Sequence, residues 1–396
     1  MPNAGKTPLK PEKTPLWRDP RTRALVFQVL VLAGVVALVG MIVHNTLSNM
    51  REQGIASGFG FLDDTAGFGI AFSLIDYNAD STYARAFLVG LLNTLFVSGV
   101  GILLATLLGF IVGIARLSPN WLIRRWAAVF IETFRNIPLL LQIFFWYFAV
   151  LRALPAPRES LAMLDLVYLN NRGLQVPKPV LEPGFGWVIA LLLAGIAGAW
   201  AIAHWARKRR ERTGQGFASW PAAAALVIIP PVMAFYAAGN PLDWNVPSLG
   251  TFSFSGGMNL IPEFVALLLA LAIYTAAFIA EIVRGGVESV PRGQVEAAQS
   301  LGLSQRQVMR KVILPQALRV IIPPLTNQYL NLTKNSSLAA AIAYPELVSV
   351  FAGTVLNQTG QAVEVIAVTM GVYLTISLSI ALVMNWYDRR KALKGA

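Results

Sequence analysis

The sequence predicts an all-α integral membrane protein with about eight transmembrane helices, and three observations carry that expectation. Of its 396 residues, 56% are hydrophobic and only 13% charged, too apolar a balance for a soluble chain. Apolar runs of about 20 residues recur along it, each long enough to cross a ~30 Å hydrocarbon core. The basic residues gather at the ends of those runs, as they do where loops meet a cytoplasmic membrane surface.

Residues 1–23 are polar, basic and proline-containing, a cytoplasmic tail. Gly5-Lys6-Thr7 has the end of a phosphate-binding loop but lacks its earlier glycine, and a membrane run follows it. Ala24–Val43 is a first span, 20 residues without a charge, too long for a signal-peptide core. Polar residues 44–85 follow. Phe87–Ala115 is the second span, where Gly101, Ala105, Gly109 and Gly113 form a ladder that lets another helix approach closely, with Asn93 on the same face. Trp126–Val150 is the third, and it holds Glu132, Arg135, Asn136, Pro138 and Gln142. A proline-rich polar loop at 151–185 precedes the fourth span, Gly186–Trp205. The fifth, Pro221–Ala238, carries Pro230-Pro231. Glu263–Val283 is the sixth, about Leu318–Ala343 the seventh, and Val363–Tyr387 the eighth.

Charge orients the array. Segments 1–23, 115–126, 206–220, 284–319 and 388–396 hold 6, 3, 5, 6 and 4 of the 32 Lys and Arg residues, whereas the alternate loops hold six. That bias puts both termini in the cytoplasm and accounts for the net charge of +12 without a nucleic-acid partner. Cysteine is absent, so no thiol or disulfide chemistry is open to the chain. The two histidines, His44 and His204, lie far apart near span ends and join no metal or catalytic cluster. Each cytoplasmic segment is shorter than about 40 residues, too short for a soluble domain of ordinary size. No cofactor is expected, and without convergent catalytic groups an enzyme is not expected either.

The most informative stretch is Glu281–Pro315, basic although it lies between apolar runs. Pro291 suits a helix start and Gly302 a helix end. Ser304, with Gln307 three residues on, opens a second short helix in a capping-box pattern. Val308, Met309, Val312 and Ile313 share one face, and Pro315 is expected to stop or kink the run. The result is a small-sided basic knuckle, shaped to dock in another protein's groove.

Charges inside spans are costly, about 2.5–3.5 kcal/mol each near the bilayer centre on insertion scales, so they face a cavity or a partner. Glu132 and Arg135, three apart on a helix, are expected to form a structural ion pair. Asn136 and Gln142 continue that stripe. On the seventh span Asn327, Asn331 and Lys334 fall at i, i+4 and i+7, a second polar stripe. Together these five residues are the candidate translocation pathway, since a zwitterionic solute stripped of water needs partners for both of its charges.

The Glu281–Pro315 stretch resembles the EAA loop of ABC importer permeases: Glu296-Ala297-Ala298, then Gly302, then Ile313-Leu314-Pro315, where the consensus reads Ile-x-Leu-Pro. The resemblance implies that Glu296, Ala297, Ala298, Gly302, Leu314 and Pro315 couple to a separate ATP-hydrolysing subunit. Gly90-Leu91-Leu92-Asn93-Thr94-Leu95, Glu132 through Gln142, and Lys334-Asn335-Ser336-Ser337-Leu338 look like the polar amino acid permeases of the histidine/glutamine importer group. The family commonly has acid-Thr-Ser near the position of Lys334, where this chain has Asn335-Ser336. A five-span core would then be divided between 87–150 and 263–387, with the coupling loop at 284–317. The additions are 24–86, with the extra first span, and an insertion at 151–262 with two spans; residues 388–396 form a cytoplasmic tail. A chain of this length is most like a long permease subunit of the general L-amino acid importer of Gram-negative bacteria. That likeness implies a second similar permease, two copies of an ATPase subunit and a periplasmic solute-binding protein as partners, in the inner membrane. The alternative, an ion-coupled secondary transporter of small polar solutes, would be expected to show internal repeats and a deep carboxylate; no repeat is visible, and Glu132 is the only acid well inside a span.

Overall fold

In the computed structural model, residues 20–52, 57–250 and 254–392 are described. Residues 1–19 of the expected N-terminal tail and 393–396 of the C-terminal one lie outside them. The described chain is mostly helical. Helix α1 (Pro20–Glu52) leaves nearly all its described side chains exposed. Helix α2 (Tyr83–Arg116) starts from a capping threonine, Thr82, whose side chain accepts from the Arg85 amide. Helices α3 (Trp121–Asn136) and α4 (Leu139–Phe144) follow, and a π-helical stretch, Phe145–Leu151, extends α4. Helices α5 (Phe185–Thr213) and α6 (Ser219–Ala237) form a hairpin, and α7 (Pro262–Glu288) opens with proline in its first turn. The short helices α8 (Arg292–Ser300) and α9 (Gln305–Val308) lead through a π-helical stretch, Met309–Ile313, into α10 (Leu314–Asn335). After a 3₁₀ segment (Ser336–Ile342) and another π-helical stretch (Val348–Val355) come α11 (Leu356–Thr359) and α12 (Ala362–Ala392).

Six of these helices are long and apolar enough to cross a membrane, and the α3–α4 pair is a seventh if its two arms form one span. Those arms meet at 105°, so the expected third span is broken. Pro138 is the cause, having no N–H for a continuous helical ladder. Helix α10, expected from the sequence as a further span, is not among them, because Gln316, Arg319, Asn327, Gln328, Asn331 and Lys334 lie along it and make it too polar by that measure.

The core is built on α7, where Leu267, Ala270, Leu271, Ala276, Ala277, Ile279 and Ala280 are fully buried among α2, α3, α4 and α10. The ladder on α2 makes the closest approach. A Cβ on Gly109 would lie 2.6 Å from both Cβ and Cγ2 of Ile279, and one on Gly113 would lie 2.8 Å from the Ala280 carbonyl. Small residues here let two backbones meet in the way expected of membrane helix pairs. A second apolar cluster, including Phe61, Tyr83, Leu347, Phe351 and Val365, joins the start of α2 to the segment between α10 and α12.

Two polar loops of the sequence turn out to hold short strands. These are β1 (Leu161–Met163), β2 (Val167–Asn170), β3 (Gly173–Val176), β4 (Lys178–Leu181), β5 (Leu242–Asn245), β6 (Ser248–Leu249), β7 (Phe254–Ser255) and β8 (Met258–Leu260). The order β1-β2-β3-β8 makes one antiparallel sheet, β4 pairs with β5, and β6 with β7. The two halves of the insertion thereby tie together outside the α5–α6 hairpin. Strands of two to four residues are too short to show alternation in sequence.

A candidate coupling loop and a polar helix face

The loop between α7 and α10 is rigid by construction. At its base Arg284 bridges two carboxylates of its own helix, its Nε donating to Glu281 at 3.1 Å and its Nη1 to Glu288. Pro291, with ψ 132°, turns the chain into α8. The far end of α8 closes as a Schellman motif: Leu303 N–H donates to Ala298 O at 3.2 Å, and Gly302 N–H to Gln299 O at 2.9 Å. Gly302 takes φ +76°, the left-handed conformation this motif requires. Gln307 Oε1 then accepts from the Ser304 amide at 2.9 Å, the N3-to-N-cap half of a capping box. Val290, Ala298 and Val308 are buried beneath, and Gln316 Nε2 donates to Gln294 Oε1, holding α8 to the start of α10.

Of the expected coupling residues, Ala298 therefore faces inward, while Glu296, Ala297, Gly302, Leu314 and Pro315 are exposed. Leu301, which motif reading passed over, is 82% exposed at the tip. Its side chain is a large apolar group presented at the end of the loop, open to a partner surface. Pro315, expected to stop or kink the run, does not stop it. It falls in the first turn of α10, and the π-helical stretch just before it widens the ladder there. Replacing Gly302 with Val should cost about 1–2 kcal/mol of local stability, from the left-handed φ alone. Faster hydrogen exchange confined to about 296–304, with α7 and α10 unchanged, is the expected readout.

Helix α10 is two-sided. Ile321, Ile322, Leu325 and Leu332 are buried toward the core, and Tyr329 Oη shares a 2.9 Å hydrogen bond with Thr106 of α2. Asn327, Asn331 and Lys334 all lie exposed on the other side. Two amides and an ammonium on one face of a membrane helix do not suit hydrocarbon. Such a face is stable against another subunit or a water-filled path.

The third-span residues divide differently from expectation. Asn136 is exposed, at the end of α3. Gln142 is 3% exposed and does not join it. Its amide donates to Phe134 O at 2.9 Å and Ile137 O at 3.0 Å, carbonyls that the break at Pro138 leaves without helical partners, so Gln142 splints the bend. Gln142→Leu should cost about 1–3 kcal/mol by leaving them unpaired, read as a lower melting temperature of the solubilised chain. The Glu132–Arg135 ion pair does not form: among the described residues the ion pairs are those of Arg284 with Glu281 and Glu288. The Arg135 guanidinium lies instead over the Phe278 ring, 5.1 Å from its centroid, because α3 packs on α7.

A buried polar hub was also missed. Asn93 Nδ2 donates to Phe72 O at 2.9 Å and Pro345 O at 2.8 Å, and Thr94 Oγ1 accepts from the Leu347 amide at 3.0 Å. Glu346, fully buried, accepts from the Val348 and Ser349 amides and from Tyr373 Oη. The Tyr344–Leu347 turn is thus clamped between α2 and α12. Its sequence trace is the lone charged residue in the mostly apolar 338–352.

Comparison with known proteins agrees with this architecture. The family model described as binding-protein-dependent transport system inner membrane component matches residues 105–393. The chain is 56% identical, over 376 residues and 95% of each chain, to the putative amino-acid ABC transporter permease protein YhdX of Escherichia coli K12. It is 52% identical to the general L-amino acid transport system permease protein AapQ of Rhizobium johnstonii, covering 95% of this chain and 94% of that one. Against the glutamate/glutamine/aspartate/asparagine transport system permease protein BztB of Rhodobacter capsulatus the identity is 40%, over 95% of each. The rigid loop, the two-sided α10 and the extent of these matches lead to one conclusion: the chain belongs to the family of inner membrane components of binding-protein-dependent transport systems.

Proposed function

We propose that this chain is one of two similar permease subunits in an ATP-driven importer of L-amino acids, with both termini in the cytoplasm. It works with two copies of an ATPase subunit and a periplasmic solute-binding protein. The observation that carries the reading is the loop at 291–304, rigid within and exposed at Ala297, Leu301 and Gly302. ATPase closure on that loop moves α7 and α10 together, because the loop is continuous with both. The solute path runs along Asn327, Asn331 and Lys334 where two permeases face each other, with Asn136 nearby in role; Gln142 is left to the bend. The substrate class is supported by the relatives' names, and the stripe suits it, with an ammonium for a carboxylate and amides for either charge. The chain itself makes and breaks no covalent bond.

Deleting Ala298–Gly302 tests the coupling. Uptake of labelled L-amino acids by whole cells should fall to background while the subunit stays in the membrane at its normal level. Full uptake by that variant would sink the proposal.

A further inference from the structure

The cytoplasmic end of the α5–α6 hairpin carries a basic collar that neither the coupling loop nor the polar face uses. Arg207, Lys208, Arg209, Arg210 and Arg212 fall within six residues of α5, with Glu211 the one acid among them. All are exposed, and among the described residues none enters an ion pair. The turn that follows is short, Gly214 ending α5 at φ +70° and α6 starting at Ser219. Just below the collar stands an aromatic layer. Trp205 meets Phe217 edge to face at 5.5 Å, the Arg209 guanidinium lies 5.4 Å over the Trp205 ring, and Trp220 is 74% exposed.

Three features say what covers the collar. The hairpin helices pack chiefly on each other, and no side chain of either joins the two buried apolar clusters, so the hairpin is edged by whatever fills the membrane plane. At 100° per residue the five cations surround α5 rather than line one side of it. A flat acidic protein surface would pair with only part of such a ring, whereas headgroups can approach from every open side. The depth also fits. Arg207 to Arg212 rises about 7.5 Å at 1.5 Å per residue, close to the ~5–7 Å of headgroup layer on each side of the hydrocarbon. Tryptophan is favoured at the boundary beneath, and clustered Lys and Arg next to a span attract anionic lipid.

We propose that this collar is a binding site for anionic phospholipid, its phosphates held by Arg207, Lys208, Arg209 and Arg210 and the acyl chains running along Trp205 and Trp220. The site lies on the insertion, a different segment from the coupling loop, and stands whatever solute the protein carries.

The test uses the full chain in neutral detergent, titrated with phosphatidylglycerol or phosphatidylcholine and read by native mass spectrometry. Wild type should bind phosphatidylglycerol at least tenfold more tightly. The variant Arg207→Gln/Lys208→Gln/Arg209→Gln/Arg210→Gln should keep no more than a twofold preference. The same three arginines changed to lysine should keep the full preference, separating charge from folding. An undiminished preference in the glutamine variant would overturn the proposal. So would a protein occupant: because the chain has no cysteine, Lys208→Cys gives a unique attachment point, and near-complete crosslinking of it to another subunit of the assembled importer would show that lipid does not cover this end.

Discussion

Gly109→Val is expected to collapse the packing of α2 on α7. Even the first added carbon would sit 2.6 Å from two atoms of Ile279 and 3.0 Å from the Ala276 carbonyl, and neither neighbour can yield. Ile279 is fully buried, and the carbonyl belongs to the helix backbone. Overpacking of a tight core costs about 1–3 kcal/mol when side chains can shift, and here the helices themselves have to separate. Because α7 is surrounded, a shift there also disturbs its contacts with α3, α4 and α10. Several-fold less subunit in the membrane, and a melting temperature lower by several degrees in detergent, are the expected results. Gly99→Val on the same helix is the control, since a Cβ there meets nothing within 4 Å. Equal behaviour of the two variants would mean that the ladder is not a packing surface.

The second large effect is expected at Leu301→Asp. In the free subunit this side chain is 82% exposed, so the change should leave folding and membrane level almost untouched. If the tip docks into an ATPase groove, the carboxylate is buried without a partner. Such a charge costs about 3 kcal/mol or more, a factor of at least ~100 in affinity. Co-purification of the ATPase with the tagged permease should then be lost, and uptake with it. Leu301→Met, similar in volume and apolar, should retain both. Retention of the ATPase by the aspartate variant would show that the tip stands free of the interface.

Much of this was legible along the chain because the relevant forces act locally. Hydrocarbon thickness sets the length of each run, so α2, α6, α7 and α12 begin and end near the limits of their apolar stretches, whereas α5 runs on through its basic end to Thr213. The knuckle could be read from Pro291, Gly302 and Ser304, since caps and left-handed turns are short-range chemistry. The short strands at 161–181 and 242–260 had no such signal; β1–β2, β2–β3 and β6–β7 are local pairs too short to show a pattern, and β3–β8 and β4–β5 join segments far apart in sequence.

Polar residues were the harder case, because their type does not say which partner they meet. Asn93 and Gln142 looked alike in sequence to Asn327 and Asn331, yet the first two are buried as structural bonds and the others are exposed. Spacing put Glu132 and Arg135 in reach of each other, and the packing of α3 gave Arg135 the Phe278 ring instead. The sequence by itself determined that this is a membrane protein with a capped, protruding loop, because burial of apolar length and helix capping need only neighbouring residues. Tertiary structure alone decided the bend at Pro138, the clamp on Glu346 and the outward face of α10, because each depends on atoms that only folding brings within a few ångströms.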